Sequence, residues 1–225
     1  MIQQLTFDLP GRNALGRSDF FVAPSNEAAV QAIDNWQDWP SGKLILVGPQ
    51  GSGKSHLAEV WANLAGARQY DVATNSGLID GNLVLDGLEA IVGDASKEEV
   101  VFHLHNHLLS LGHHLLITSR SEPGLLTFAL PDLQSRMLGT QLVRIDPPDE
   151  MLLSAVMAKL FDDRQVNISP QVIAYAVTRI DRTLAAVHAL VAELDALSLA
   201  RSKPMSRQMV AEILDTKHED RDDLS

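Results

Sequence analysis

Residues 43–55 read KLILVGPQGSGKS, and this stretch decides the fold class of the chain. The apolar run at 44–47 predicts a buried strand, and the glycine-rich turn after it leads into a predicted helix from Ser55. Residues 48–55 fit the pattern G-x-x-x-x-G-K-[ST]. Glycines let successive backbone N–H groups point at phosphate oxygens, and the positive end of the following helix faces the same anion. The sequence therefore predicts a nucleotide-binding phosphate loop, which the pattern favours strongly over an ordinary surface turn.

A carboxylate at the end of another apolar strand is the second signal for nucleotide binding. Residues 83–86 read LVLD, and in phosphate-loop proteins such an Asp holds Mg²⁺ beside the loop, often through water. The predicted magnesium ligands are therefore Ser55 and Asp86. Hydrolytic proteins usually carry a second acid directly after this Asp, but position 87 is Gly, and Glu89 cannot be assumed to replace it. Taken alone, Asp86-Gly87 would also fit a turn after a strand.

Polar side chains end a further apolar run, HLLITSR at 114–120. A hydroxyl at the carboxyl end of a parallel strand lies next to the phosphate crevice. Thr118 or Ser119 is therefore a candidate sensor of the outer phosphate, although a plain strand cap explains the pair almost as well.

Composition narrows the class of protein. The chain has 225 residues, 45% of them hydrophobic, and a formal net charge of −11. Such a charge argues against broad binding to a phosphate backbone, which needs clustered Lys and Arg. There is no Cys, so disulfides, thiolate zinc sites and a cysteine nucleophile are excluded. The N-terminus lacks a signal-peptide pattern and no apolar run is long enough to span a membrane, so we expect a soluble cytoplasmic protein.

The order of predicted elements indicates an α/β part followed by a helical part. Strands are predicted at 68–72, 83–86, 114–118 and 141–145, besides the strand before the loop. Helical stretches between them, notably 97–111, predict a parallel sheet with helices on both faces. After Pro147-Pro148, amphipathic helices are predicted at 149–161, 170–178, 183–200 and 206–214. The predicted domains are an N-terminal peptide and linker at 1–17, a nucleotide-binding α/β domain at 18–148, a smaller all-helical lid domain at 149–217 and an acidic tail at 218–225.

Several of these motifs, in this order, resemble the DnaA/Hda family of bacterial AAA+ ATPases. The resemblance rests on FFVAPSN at 20–26, GPQGSGKSHL at 48–57, LD at 85–86, ITS at 117–119, LQSR at 133–136 and RTL at 182–184. It implies an AAA+ domain with a helical lid. The residues that it would place around ADP or ATP are Gly48, Pro49, Gln50, Gly51, Ser52, Gly53, Lys54, Ser55 and His56 of the loop, with Phe20, Phe21 and Asn26 bordering adenine.

The same resemblance implies roles for four further positions. Asp86 would be the Mg²⁺ acid, Thr118 or Ser119 the first sensor, and Arg182 the lid arginine that reads phosphates. Arg136 would be an arginine finger, a guanidinium offered to the nucleotide of a neighbouring subunit, where it stabilises charge in the transition state. Because position 87 is Gly, we expect weak or no ATPase activity in the chain itself.

The N-terminal segment QLTFDL at 4–9 has two interpretations. Its pattern fits a strand laid on the protein's own core, and it also resembles peptides that bind the DNA polymerase sliding clamp. In the second case the Gln4 amide would enter a polar notch while Leu5, Phe7 and Leu9 are buried in a groove.

The resemblance implies a regulatory function. An ADP-bound protein tethered to the sliding clamp would trigger hydrolysis of DnaA-bound ATP at the replisome, and a homodimer or larger homo-oligomer is expected. No helix-turn-helix is expected after the helical part, so no direct sequence-specific DNA binding is expected either. The alternatives are a small-molecule kinase that uses the same loop, and a DNA-binding initiator or loader.

Overall fold

A computed structural model describes residues 21–75, 77–201 and 203–222 of the chain. The described residues form one five-stranded sheet in the order β2-β3-β4-β1-β5, and every neighbouring pair is parallel. The predicted α/β class with a parallel sheet is thereby confirmed. The strands are β1 (Lys43–Val47), β2 (Arg68–Gln69), β3 (Leu83–Leu85), β4 (Leu115–Ser119) and β5 (Gln141–Arg144).

The central strands of the sheet are buried on both faces because helices cover it on either side. Every residue of β1, β3 and β4 is buried, as expected for a parallel sheet whose strands are uninterrupted apolar runs. In the register of β1 and β4, Val47 lies opposite Ser119. The carboxyl ends of β1 and β4 therefore meet at one edge of the sheet, directly before the phosphate loop.

Helices complete the chain on both faces of the sheet and beyond it. They are α1 (Glu27–Asp34), α2 (Lys54–Ala65), α3 (Ala95–Leu111), α4 (Pro131–Leu138), α5 (Glu150–Asp163), α6 (Pro170–Val177), α7 (Leu184–Arg201) and α8 (Arg207–Asp222). One hydrophobic cluster packs α3 and α4 on one face of the sheet, and a second packs α1 and α2 on the other. No helix among the described residues is long and apolar enough to cross a membrane.

The last four helices have a hydrophobic core of their own. Its buried members come from α5, α6, α7 and α8, with Phe161, Leu190 and Val210 near the centre. The first of these helices, α5, begins with a capped turn, because the carboxylate of Asp149 accepts a hydrogen bond from the backbone N–H of Leu152 at 2.7 Å.

The bounds of some predicted elements were wrong. The strand predicted at 68–72 is only Arg68–Gln69, since the chain turns at Asp71, and helix α4 was not predicted as a separate element. The last helix was predicted to end at 214, but α8 continues to Asp222. The N-terminal peptide and linker, residues 1–17, lie outside the described residues.

A buried amine and imidazole lie below the sheet, where β1 begins. The ammonium of Lys43 donates to the backbone oxygen of His105 at 2.9 Å and lies 3.2 Å from Nδ1 of its ring. Both side chains are nearly inaccessible. Burial, reinforced by the charge of Arg136, lowers the pKa of Lys43 to about 8. Burial and then the charge of Lys43 lower the pKa of His105 from 6.5 to about 4.

These shifts predict that stability falls in mild acid. The unfolded chain protonates His105 below pH 6.5, whereas the folded protein keeps the ring neutral to about pH 4. Between these values the unfolded state binds more protons, so the free energy of unfolding should drop by about 3 kcal/mol across the window. Denaturant titrations at several pH values between 6.5 and 5 measure the onset of this slope.

The replacement His105→Leu should flatten the slope, while the partly buried His114 keeps a contribution of the same sign because burial lowers its pKa as well. The matched control is His103→Leu on the exposed side of α3. A slope that survives in His105→Leu and equals that of the control would contradict the assignment.

Candidate functional site

The phosphate loop joins β1 to α2 and lies against the helical part of the chain. Gly51 has φ +78°, and a Cβ added there would lie 2.6 Å from Cβ of Thr183. The backbone N–H of Leu184 donates to the carbonyl of Gly51 at 3.2 Å. Only Gly allows both this backbone conformation and this close approach. The start of α7 is therefore fastened directly onto the loop.

The amine of Lys54 is held over the loop by the loop itself. Its Nζ donates to the carbonyls of Gly48 and Pro49 at 2.7 and 2.8 Å. Burial lowers the pKa of Lys54, the negative charges of Glu89 and then Asp86 raise it, and Arg120 lowers it further. The amine thus lies between the loop and two carboxylates, where an outer phosphate would meet it.

The two predicted magnesium ligands, Ser55 and Asp86, lie together, and the candidate sensor Thr118 contacts the same carboxylate. The hydroxyl of Ser55 donates to Oδ1 of Asp86 at 3.2 Å, and the hydroxyl of Thr118 makes a short hydrogen bond to the same oxygen. Thr118 also accepts from the backbone N–H of Gly87 at 2.9 Å. The oxygens of Ser55 and Asp86 suit Mg²⁺, which prefers hard oxygen ligands and takes the rest of its shell from water and phosphates. These residues therefore fit the metal that a phosphate loop uses.

The turn after Asp86 is not built for a second acid at position 87. Gly87 has φ +86°, a conformation in which an L side chain is strained even though the space beside it is open. The nearest acid is Glu89, in a short 3₁₀ turn at Leu88–Ala90. The sequence left the place of Glu89 open, and the structure brings it into the site.

These groups line one cavity of about 660 Å³ between the sheet edge and the helical part. Phe21, Asn26 and His56 line it together with Gln50–Ser55, Asp86, Thr118 and Ser119. Of the predicted residues, Phe20 lies outside the described ones, and Gly48 and Pro49 contribute carbonyls to Lys54 instead of surface to the cavity. Within the part of the chain that the structure describes, the buried hydroxyl of Ser52 in the loop has no hydrogen-bond partner, as is expected of a polar group in a loop that binds a ligand.

The side chain of Asn26 has a structural function at the rim. Its Oδ1 accepts from the backbone N–H of Ala23 at 2.8 Å, and its Nδ2 donates to the carbonyl of Phe21 at 2.9 Å. Since both ends of the amide are used, Asn26 shapes the turn that presents Phe21 to the cavity.

Sequence reasoning missed most of the helical wall of the cavity. That wall consists of Leu152, Val156, Lys159, Leu160 and Asp163 from α5, with Leu184 and His188 from α7. The spacing of Leu152, Val156 and Leu160, one turn of helix apart, is that of the apolar face of an amphipathic helix and does not by itself indicate a binding site. These residues can be recognised as cavity lining only once the position of the phosphate loop relative to the helical domain is known. The pattern of a single helix does not contain that information.

Two arginines of the prediction do not line this cavity. Nη2 of Arg182 lies 3.2 Å from Oε1 of Glu150, and both side chains are more than half exposed. Arg136 is exposed on α4, and its charge acts on Lys43 and His105, which lie where β1 begins, at the opposite end of the strand from the phosphate loop.

A parallel sheet in this strand order, with a phosphate loop after β1 and a helical domain closing over it, defines the class of P-loop proteins with an AAA+ fold. Comparison with solved structures agrees. Domain III of the replication initiation protein DnaA from Thermotoga maritima superposes with a TM-score of 0.75 at 19% identity, covering 88% of this chain and 94% of that one. AMPPCP-bound DnaA from Aquifex aeolicus superposes with a TM-score of 0.71 at 19% identity, and the match covers 90% of this chain and 68% of that one.

A third similar structure is the Holliday junction branch migration motor RuvB from Thermotoga maritima, with a TM-score of 0.65 at 16% identity, covering 85% of this chain and 66% of that one. No protein-family model matches the chain. At these identities the likeness establishes the AAA+ fold.

Proposed function

We propose that this protein is a regulator of replication initiation of the Hda type, an AAA+ protein that holds ADP, docks on the DNA polymerase sliding clamp and stimulates hydrolysis of ATP bound to DnaA. The catalytic group that it donates is Arg136. Converting DnaA–ATP to DnaA–ADP in this way would prevent a second initiation. The proposal combines the sequence resemblance with the AAA+ fold and the placement of one arginine.

The observation that carries the proposal is the position of Arg136. It lies near the amino-terminal ends of the strands, whereas the cavity of its own chain lies at their carboxyl ends. Helix α4 ends at Leu138, and the next strand, β5, pairs with Leu44 at the start of β1. The phosphate loop instead follows the end of β1, roughly 13 Å further along the strand at the usual rise per residue. An arginine in this place is suited to act on the nucleotide of a partner.

The surroundings of Arg136 suit a protein contact. Among the described residues, its side chain makes no hydrogen bond or ion pair, so the guanidinium is free to bind a phosphate. Leu138 on the same helix is 58% exposed, and Leu125 in the preceding 3₁₀ turn is 78% exposed. Neighbouring exposed apolar side chains are a feature of protein interaction surfaces, and Arg is among the residues enriched in interface hot spots.

The nucleotide site suits a tightly bound ligand better than a substrate that is turned over. Lys54, Ser55 and Asp86 suit phosphates and Mg²⁺, whereas position 87, directly after Asp86, is Gly and carries no acid to orient an attacking water. The carboxylate of Glu89 lines the cavity but is held by donors from the end of β4. ADP in this cavity would bridge the sheet edge and the lid, and would thereby fix the two parts relative to each other.

Clamp docking is proposed from the sequence alone. Residues 4–9 lie outside the described residues, and the proposed contacts are the Gln4 amide with Leu5, Phe7 and Leu9. The double replacement Gln4→Ala, Leu5→Ala tests this part separately in a clamp pull-down.

The experiment that tests the whole proposal follows ATP on DnaA in the presence of clamp loaded on DNA. Adding the ADP-bound protein should accelerate hydrolysis, and omitting either the clamp or the protein should remove the acceleration. The Gln4→Ala, Leu5→Ala variant should lose most of the effect while still binding ADP. Unchanged hydrolysis with all components present would overturn the proposal.

A further inference from the structure

Glu89 is a carboxylate of the cavity that is pinned in place. Its side chain is only 17% exposed and lines the cavity. Oε1 accepts from the hydroxyl of Ser119 at 2.8 Å and from the backbone N–H of Ser121 at 3.0 Å, and it makes a short hydrogen bond to the N–H of Arg120. Because all three donors converge on one oxygen from the end of β4, the carboxylate cannot swing away from the site.

The other oxygen of Glu89 faces a charged group of the same cavity. Nε of Arg120 lies 3.9 Å from Oε2, and the Arg120 side chain is 60% exposed and also lines the cavity. Glu89 therefore engages an exposed cation at the end of β4, and an incoming phosphate would have to compete with it for that cation.

Glu89 and the amine of Lys54 line the same cavity, and the charge of Glu89 acts on that amine. Besides burial, the largest electrostatic influence on the pKa of Lys54 is the charge of Glu89, ahead of Asp86. For Glu89 itself, burial raises the pKa, but the hydrogen bonds from Ser119 and three backbone N–H groups outweigh burial and hold the pKa below its usual value. The group is thus an anion at neutral pH.

A fixed anion at this position should affect the binding of ATP and of ADP differently. The γ-phosphate of ATP brings further negative charge next to Lys54, where the carboxylate repels it, while ADP places nothing there. We propose that Glu89 is a specificity-determining residue that makes the cavity select nucleoside diphosphate over triphosphate. This inference rests on the proposed nucleotide site and adds the reason why ADP is the resident ligand.

The test measures the dissociation constants of ADP and of AMPPCP, both with Mg²⁺, by calorimetry on the full chain and on Glu89→Gln. Glutamine keeps an oxygen to accept the three hydrogen bonds, removes the charge and places its amide NH2 where Oε2 now faces Arg120. AMPPCP should bind at least about tenfold more tightly to Glu89→Gln, because the repulsion by one unit charge in the same cavity is removed, and ADP affinity should change less than about twofold. Arg120→Gln should shift the ratio the other way, because Glu89 then loses its counter-charge.

The matched control is Glu59→Gln, which removes the same charge from an exposed position of α2 and should leave both constants unchanged. An unchanged ratio in Glu89→Gln, or equal weakening of both ligands, would show a purely structural role and overturn the inference. Weaker AMPPCP binding alone would also overturn it, since Glu89 would then assist the triphosphate.

The two proposals fail in different ways. Absence of ADP binding to the unaltered chain would remove the nucleotide site itself and with it the proposed function. Normal ADP binding with an unchanged ratio would remove only the role of Glu89. Neither measurement requires DnaA or clamp, so failure of the hydrolysis assay would leave the selectivity result standing.

Discussion

Replacement of Arg136 by Ala is expected to reduce the stimulation of DnaA-bound ATP hydrolysis by about 10³, the lower end of what arginine fingers supplied in trans contribute. The physical reason is the loss of a planar cation that stabilises charge on the transferred phosphoryl group. Arg136 is exposed and unpaired among the described residues, so its removal should leave the fold intact. Single-turnover hydrolysis on DnaA with loaded clamp measures the effect.

The control for this variant is Arg201→Ala. Arg201 is also an exposed helical arginine, but it pairs with Glu212 in the lid, far from α4 in the chain. Its loss should change the rate by less than about twofold, because exposed ion pairs contribute little. ADP affinity should be normal in both variants. Full stimulation by Arg136→Ala would show that the catalytic cation comes from elsewhere.

Among the replacements proposed for this protein, Glu98→Ala should lower the free energy of unfolding most, by about 3–5 kcal/mol. The carboxylate is completely buried and accepts backbone hydrogen bonds from Gly93 at 2.7 Å, Ala129 at 2.9 Å and Leu130 at 2.6 Å. Alanine would remove the acceptor that three backbone N–H groups share and would leave a cavity where the buried carboxylate stood. Urea unfolding followed by circular dichroism measures the difference.

Two further variants separate hydrogen bonding from bulk at this position. Glu98→Gln keeps one acceptor but turns an amide donor toward one of the three N–H groups, so we expect an intermediate loss of about 2 kcal/mol. The neighbouring Glu99 is exposed and pairs only loosely with His103, at 3.8 Å, so Glu99→Ala should stay within about 0.5 kcal/mol of the original. Equal stability of Glu98→Ala and Glu99→Ala would contradict the assigned role.

Glu98 also links the start of α3 to the residues directly before α4, the helix that carries Arg136. Because this contact couples Glu98 to the helix that carries Arg136, Glu98→Gln should lower the stimulation of DnaA-bound ATP hydrolysis while ADP binding stays normal. The prediction is secondary to the stability effect and is checked in the same hydrolysis assay.

Local patterns in the sequence predicted the parts of the fold that local chemistry determines. The loop at Gly48–Ser55 and the acid at Asp86 were identifiable because glycine spacing and a strand-terminal carboxylate are each encoded within a few residues. The parallel sheet followed from the alternation of apolar runs and helices. The proximity of Thr118 to Asp86 followed from the rule that parallel strands end at one edge.

Contacts between distant segments could not be predicted in the same way. Glu89 receives its hydrogen bonds from residues about 31 positions away, and Glu98 receives two of its three from a similar separation. Nothing in the sequence near either residue indicates these distant partners. A histidine on an amphipathic helix likewise gives no sign that Lys43 at the start of β1 will be its buried neighbour. The short strand β2 was overestimated because the apolar residues after it, Tyr70 and Val72, pack against the core from a turn.

The most direct test of the central claim, that the protein binds one nucleotide and acts on another, is a comparison of two labelling schemes. In the first, DnaA carries ATP labelled in the γ-phosphate and this protein carries unlabelled ADP. In the second, this protein carries the labelled ATP and DnaA carries ADP. With loaded clamp present, we predict rapid release of labelled phosphate in the first scheme and almost none in the second. Rapid release in the second scheme, or none in the first, would contradict the claim.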